Sequence, residues 1–343
     1  REMPYKPDIK KYVKEVLSSC INNNDIEDFK ELNIRPILNT EYLDEYRDWN
    51  SEDKRFPTDR YIKIKGLLHR LDYCASAHID EIEKTSIDSS GKYLYQKIME
   101  MYSLNDVQKY MLENKDKNLI VEASTGIGKT EAALLWIGPS KGFYMLPLQV
   151  SINAIYDRIV YKKYLYDRTG LLHANALSEL IARRASDEEN IEETIIKYQD
   201  ARLLSMPLTI CTVDQLFNFV YKYNGYEMLL TTLANSKVVI DEIQSYSPQN
   251  IGLLIAGLKM ITEQGGKFAI VTATFPKVIY KLFDKYNIKV GPVKVFHNPK
   301  LPQRHRMKVM GDEFDYEKIK ALGMNKKILI ICNTVKSAIN TYD

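Results

Sequence analysis

At 343 residues, with 45% hydrophobic and 27% charged content, the chain has room for about two domains, each with a core of its own. A net charge of +3 excludes a uniformly basic or acidic surface, so any basic face has to be local. The four cysteines (Cys20, Cys74, Cys211, Cys332) are scattered and read as free thiols in a reducing cytoplasm rather than a disulfide frame or a zinc site, and no apolar run reaches transmembrane length, which excludes a membrane span.

Residues 1 to about 100 offer no convincing strand. KKYVKEVLSSCI, IEDFKELN and IKIKGLLHRLDYCASAHIDEIEK space their apolar residues at three and four, as amphipathic helices do. Asn22-Asn23-Asn24 and Phe56-Pro57-Thr58-Asp59 mark loops between them, and Asp88-Ser89-Ser90-Gly91 marks the hinge out of the helical region. GLLHRLDYCAS places His69 and Asp72 three apart on one helical face, with Ser76 a turn further on. That spacing serves a local pair on a helix packed through its leucines, or a ligand set. The start, REMPYKPDIKKYVKE, lacks a signal-peptide core and an initiator Met, so a piece of a longer polypeptide is expected.

From about residue 104 strands and helices alternate, which predicts a parallel sheet with helices on both faces. Strands are expected near 118–123, 142–147, 208–212, 237–241 and 267–272, each short and apolar. The stretch 165–205 reads as a mostly helical insertion on the rim. Residues 291–325 read as a loop-rich crossing marked by Pro292, Pro299 and Pro302, after which KILIIC (327–332) opens a further strand and a helix.

The chemistry centres on LIVEASTGIGKTEAALLW. A strand-length apolar run breaks at Thr125-Gly126-Ile127-Gly128 and passes straight into an alanine- and leucine-rich helix, the context a phosphate-binding loop requires. Backbone N–H groups of Ser124 to Gly128 and the new helix N-terminus (Lys129, Thr130, Glu131) would cradle the phosphates of ATP. Lys129 would reach the β- and γ-phosphates and the Thr130 hydroxyl would ligate Mg²⁺. Ala123 stands where the usual pattern has its first Gly.

KVVIDEIQ supplies the second element. Asp241 and Glu242 emerge at the carboxyl end of an apolar strand, where open α/β sheets bind their ligands. Asp241 would hold the Mg²⁺ and Glu242 would orient or deprotonate the attacking water. Upstream, the Gln108 amide could pair with both hydrogen-bonding edges of adenine. LPLQ, with Pro147 and Gln149, and TVDQ, with Thr212 and Gln215, each end a strand with small polar groups suited to the phosphates of a single strand. Thr272 and Thr274 of VTAT are suited to linking the acidic pair to bound strand.

The ordered set Gln108, ASTGIGKT, LPLQ, TVDQ, DEIQ and TAT resembles the first RecA-like domain of a superfamily 2 helicase. Within that superfamily, GKTEAAL, DEIQSYSP and ILIICNTVKSAINTY resemble the CRISPR-associated nuclease-helicase of type I interference, and GLLHRLDYCAS resembles the last signature helix of its HD-type nuclease domain. The resemblance implies an α/β protein in which a partial, all-helical HD-type domain (1–90) precedes a RecA-like parallel sheet (91–290), an interdomain crossing (291–325) and the start of a second RecA-like domain (326–343). It implies ATP and Mg²⁺, Asp72 as ligand to a divalent transition metal of the nuclease, single-stranded DNA as track, a crRNA-guided surveillance complex as loading partner, no membrane, and a cytoplasmic location.

The sequence also departs from the pattern. No His-Asp dipeptide or upstream histidine cluster is present, so the remaining nuclease ligands are missing, and Gln244 stands where many relatives carry His. The arginine finger of a second motor domain is absent as well, so this piece should bind ATP yet hydrolyse it poorly. Two rival readings stay open: another superfamily 2 motor, such as an RNA helicase or restriction-type translocase, and an ATP-binding docking module that does not hydrolyse.

Overall fold

The computed structural model describes residues 55–77, 79, 81–183, 190–297, 316–325 and 327–342. The helices expected in KKYVKEVLSSCI and IEDFKELN, and the Asn22-Asn23-Asn24 loop, lie outside these residues. The described residues fall into two units, one up to His297 and one within 298–343.

The first unit is built on seven strands: β1 (Leu119–Ala123), β2 (Gly142–Met145), β3 (Thr169–Leu172), β4 (Leu208–Cys211), β5 (Lys237–Asp241), β6 (Lys267–Thr272) and β7 (Val293–Phe296). They form one sheet in the order β3-β4-β2-β5-β6-β1-β7, and every pair is parallel. Parallel neighbours need crossover helices, which cover both faces and leave the strands apolar on both sides. Side-chain alternation then divides the core in two: Val121, Tyr144, Val239, Ala269 and Val271 point to one layer, Ile120, Phe143, Val238, Phe268 and Ile270 to the other.

The helices in chain order are α1 (Arg55–Ser76), α2 (Leu94–Met101), α3 (Asp106–Glu113), α4 (Lys129–Ile137), α5 (Gln149–Asp157), α6 (Ala176–Ala182), α7 (Asn190–Arg202), α8 (Val213–Leu216), α9 (Tyr226–Ala234), α10 (Pro248–Glu263) and α11 (Lys277–Lys285). α5 continues directly into a π-helical turn, Arg158–Lys162. α4 is buried at eight of its nine positions, which explains why its sequence, KTEAALLWI, is apolar nearly all round.

Five sequence expectations need correction. Phe56-Pro57-Thr58-Asp59 is not a loop but the start of α1, where Pro57 sits in the first turn and removes only an N–H that had no helical partner. α1 does not pack through its leucines: Leu67, Leu68 and Leu71 are half exposed, while Ile62, Gly66, Arg70 and Cys74, spaced by four, face inward. Gly66 decides this, because a Cβ there would stand 2.2 Å from Thr231 Oγ1 and 2.3 Å from the Glu227 carbonyl of α9, so only glycine permits the approach. Lys65 donates to Glu227 at 2.6 Å and Arg70 to the Leu203 carbonyl at 2.5 Å, pinning the helix on either side of that crossing.

The 165–205 stretch carries α6 and α7 as expected, yet also β3. Thr169-Gly170-Leu171-Leu172 is too short to show a period; it becomes a strand because the free edge of β4 offers a ladder and Gly170 lets Ala201 and Met206 come close. Val293–Phe296 likewise leaves the expected loop and pairs with β1 as the opposite edge. By contrast Asp88-Ser89-Ser90-Gly91 is the expected turn, with Asp88 Oδ1 accepting from Ser90 N at 2.9 Å and Gly91 at φ +76°.

The second unit holds α12 (Tyr316–Gly323) and α13 (Val335–Tyr342). The strand expected over 327–332 does not form. Its backbone has no ladder partner among the described residues, and Leu329 and Ile331 are more than 80% exposed.

Candidate functional site: a nucleotide loop facing a paired acid

The loop 124–128 joins β1 to α4 at the carboxyl edge of the sheet. Gly126 (φ +79°) and Gly128 (φ +92°) occupy the left-handed region, and a Cβ on Gly128 would lie 2.7 Å from Gln108 Nε2. The same Gln108 closes a capping box at the start of α3: its Oε1 accepts from Asn105 N at 3.1 Å while its own N–H donates to Asn105 Oδ1 at 3.1 Å. Asn105 Nδ2 in turn donates to the Ile127 carbonyl at 2.7 Å. Asn105 and Gln108, the latter 6% exposed, therefore brace the loop. At its other end, Ser124 N donates to the Phe296 carbonyl at 3.2 Å, so the unforeseen strand β7 anchors the loop's entry.

Across β6 from this loop lies the end of β5. Asp241, 5% exposed, accepts the Tyr144 hydroxyl at 2.6 Å on Oδ2 and the Glu242 N–H at 2.9 Å on Oδ1. Burial pushes its carboxyl up to about 6, against the pull of the Tyr144 hydrogen bond and the Lys129 charge. Tyr144 is fully buried with Thr130 beside its hydroxyl, and burial next to Asp241 holds it un-ionised. Lys129, 9% exposed, reaches Glu242 Oε1 at 3.2 Å. Glu242 itself is left-handed (φ 50°, ψ 48°), a conformation that costs a non-glycine residue on the order of 1 kcal/mol or more and marks functional turns.

A short relay leads away from Glu242. Gln244 Nε2 donates to Glu242 Oε2, and Gln244 Oε1 accepts from the Thr272 hydroxyl, which also lies 3.0 Å from the Thr274 carbonyl. Thr272 is fully buried. Its place is thus in the link between the acidic turn and the exposed Thr274, not on a surface that a single strand could touch.

Pro147, Gln149, Thr212 and Gln215 lie at the carboxyl ends of β2 and β4, on the other half of the same edge. Their groups are loosely engaged: Gln149 Oε1 accepts from Asn175 at 3.3 Å, Gln215 donates to Asp214 at 2.9 Å, and the buried Thr212 Oγ1 has no hydrogen-bond partner among the described residues. Glu131, in the first turn of α4, has its side chain engaged elsewhere. Its carboxylate is buried behind α4 and bonded to Arg158, Lys163 and Tyr164. Asp72 is exposed on α1, and no cluster of three or more metal-ligating side chains exists among the described residues.

Residues 105–282, more than half the chain, match the DEAD/DEAH box helicase family. The chain belongs to that family. All of the loop, the acidic turn and the Thr272–Thr274 link fall inside the matched span. It is 28% identical over 337 residues to the CRISPR-associated nuclease/helicase Cas3 of Methanothermobacter thermautotrophicus, covering 90% of this chain and 40% of that protein. It is 28% identical over 196 residues to the CRISPR-associated endonuclease/helicase Cas3 of Escherichia coli, covering 51% of this chain and 22% of that one. Among solved structures, T. fusca Cas3 with ADP aligns over 60% of this chain and 25% of its own, at 19% identity and a TM-score of 0.47. The resemblance drawn from the motifs holds: this is a Cas3-like helicase chain that spans well under half the length of these relatives.

For a family member, three supporting residues had no signal in the sequence. Tyr144 reads as one more apolar strand position, Asn105 as a helix cap, and Phe296 contributes only a backbone carbonyl. Only Tyr144 could have been found, as the hydroxyl on the strand beside KVVID once the strand order is known.

Proposed function

We propose that this chain is the first motor domain of an ATP-dependent single-stranded DNA translocase of type I CRISPR interference, flanked by the end of a helical HD-type nuclease module (1–90), a crossing (291–325) and the start of a second motor domain (326–343). The observation that carries this reading is the Lys129–Glu242 ion pair, set beside the buried Asp241–Tyr144 hydrogen bond at the mouth of a doubly left-handed glycine loop.

The donor set fits a nucleotide with a hard cation. A buried carboxylate raised to about 6, next to a threonine hydroxyl, is an oxygen-rich site that a divalent ion would return to its charged form. Asp241 and Thr130 would hold Mg²⁺, which neutralises developing phosphoryl charge. The loop N–H groups and Lys129 would bind the β- and γ-phosphates, and Lys129 would leave Glu242 to do so. Freed of the lysine and held by Gln244, Glu242 would orient the attacking water and accept its proton. The Gln244–Thr272 link would report that event to Thr274 and the bound DNA.

DNA would cross the edge over Pro147 and Gln149, Thr212 and Gln215, and Thr274, where polar groups are free to exchange partners for phosphates. The names of the relatives support a CRISPR-associated nuclease and helicase; foreign DNA as substrate, a crRNA-guided surveillance complex as loader and the cytoplasm as location are what the motif resemblance implies. No helix among the described residues is long and apolar enough to cross a membrane. Asp72 would join a transition-metal site of the nuclease in the complete protein, but the described residues supply no such cluster, so no cleavage step is assigned to them. An arginine finger supplied by a second motor domain would be worth about 10³–10⁵ in rate.

The test is ATPase activity of the full polypeptide with single-stranded DNA, with RNA and with neither, beside Lys129→Ala. DNA-stimulated turnover that vanishes in the variant is the expected result. Stimulation by RNA instead would favour the RNA-helicase reading, and nucleotide binding without stimulated turnover the docking module.

A further inference from the structure

α5 packs against β3 and β4 on one half of the sheet, and the turn that follows it bonds to the first turn of α4. The helix begins at Gln149, in the LPLQ turn, and at about 1.5 Å per residue its nine residues run roughly 14 Å inward. There it becomes the π-helical turn Arg158–Lys162, in which Lys163 N donates back five residues to the Arg158 carbonyl at 2.8 Å. π turns are rare and frequent at functional sites, and this one closes the C-terminal end of α5.

This turn and the two residues after it grip the first turn of α4, just past the nucleotide loop. Glu131, the residue after Thr130, is 5% exposed, and one of its oxygens accepts from Arg158, from Lys163 at 2.9 Å and from Tyr164 at 2.7 Å. Burial opposes ionisation of this carboxyl, but the three donors outweigh it and hold Glu131 charged. The Lys163 ammonium also lies 4.6 Å from the ring of Tyr102, just ahead of the Asn105–Gln108 brace. A structural need for α4 to pack would be met by an apolar side chain at 131. A buried carboxylate gripped by three donors, Arg158 in the π turn and Lys163 and Tyr164 directly after it, instead fixes the angle between α4 and α5.

We propose that α5 and its π-helical turn are a strut that couples DNA at Gln149 to the nucleotide loop, with Glu131 as a positioning residue and Arg158 as its grip. DNA phosphates engaging the LPLQ turn shift α5 along its axis; the Arg158–Glu131 contact carries that shift to the first turn of α4 and so to Lys129 and Thr130. The inference rests on the motor reading above, in which DNA binds at the end of β2.

The experiment measures affinity for a fluorescent ATP analogue in the full polypeptide, with and without saturating oligo(dT), and takes the ratio as the coupling factor. Allosteric factors of this kind run at about 5–150-fold, and the reciprocal effect of nucleotide on oligo(dT) affinity must agree. In Arg158→Met the affinity without DNA should stay within about twofold of wild type while the factor falls to near 1. Arg158→Lys should keep most of the factor, and Glu131→Gln should lose it. Lys163→Met is the independent removal should Arg158→Met fold poorly, as judged by its melting temperature. A factor that survives in Arg158→Met, or an equal loss of affinity with and without DNA, overturns the strut alone. A wild-type factor of 1 overturns the strut together with the motor reading.

Discussion

The two halves of the sheet's carboxyl edge are built on opposite plans. On the β5-β6-β1 side the groups around the loop are engaged in pairs: Lys129 with Glu242, Asp241 with Tyr144, Gln244 with Thr272, Asn105 with Ile127. On the β3-β4-β2 side the corresponding groups are exposed or loosely held, and the buried Thr212 hydroxyl has no partner among the described residues. Groups that must stabilise developing charge gain from being fixed in advance, whereas groups that follow a moving polymer gain from exchanging partners. The first half is preorganised and the second is adaptable.

Substitutions should separate the two. Lys129→Ala removes the cation that, on the proposed reading, would meet the phosphates, and should lower DNA-stimulated ATPase of the full polypeptide about 10²–10³-fold, the scale of losing a fixed charge-stabilising group. A residual rate within tenfold of wild type would erase the contrast.

Asp241→Asn tests the cost of preorganisation. A carboxyl raised from its usual 3.8 to about 6 is stabilised in its neutral form by the fold, so its contribution is present at low pH and lost as pH rises through about 6. At pH 7 the charged Asp241 therefore opposes folding, by up to about 3 kcal/mol, and the neutral variant should melt higher while losing Mg²⁺-dependent nucleotide binding. Thermal melts with and without Mg²⁺ and nucleotide check both halves of that statement. The same shift predicts that wild-type Mg²⁺–nucleotide affinity falls as pH drops through about 6, roughly tenfold per unit below it. Tyr144→Phe, which removes a hydrogen bond to the charged form, should move that midpoint upward. A flat titration profile between pH 7 and 5 would be inconsistent with it.

Gln244→Ala cuts the link from the acidic turn to Thr272 and Thr274. Stimulated kcat should fall about tenfold, the low end for a group that positions a general base, while nucleotide affinity without DNA changes little. On the adaptable side, Gln149→Ala or Gln215→Ala should each weaken oligo(dT) binding only about two- to fivefold, one ordinary hydrogen bond, and leave nucleotide affinity without DNA as it was. A loss of a hundredfold at either position would mean that this half too is rigid and specific.

How much of this could be read in advance differs along the chain. The glycine loop and the acidic turn were legible because their chemistry is local: a left-handed turn needs glycines at fixed places, and a strand that ends in Asp-Glu announces itself by its apolar run. Five of the seven strands followed from the same runs. Thr169–Leu172 and Val293–Phe296 did not, because edge strands of four residues owe their state to a neighbour's unpaired ladder. KILIIC shows the converse, a strong strand signal with no strand for want of such a partner among the described residues.

The sequence by itself determined the α/β class, the phosphate loop, the paired acid and the order of the motifs, since each rests on the backbone freedom or charge of a few adjacent residues. The tertiary structure alone decided what stands behind them. It put Tyr144 on Asp241, Gln108 under Gly128, Gln244 between Glu242 and Thr272, and Glu131 in the grip of Arg158. It also turned the glycine rather than the leucine face of α1 inward. These pairings join residues up to about a hundred positions apart, and what selects them is burial: a polar group taken out of water must find a partner, and only the packed fold says which one is near.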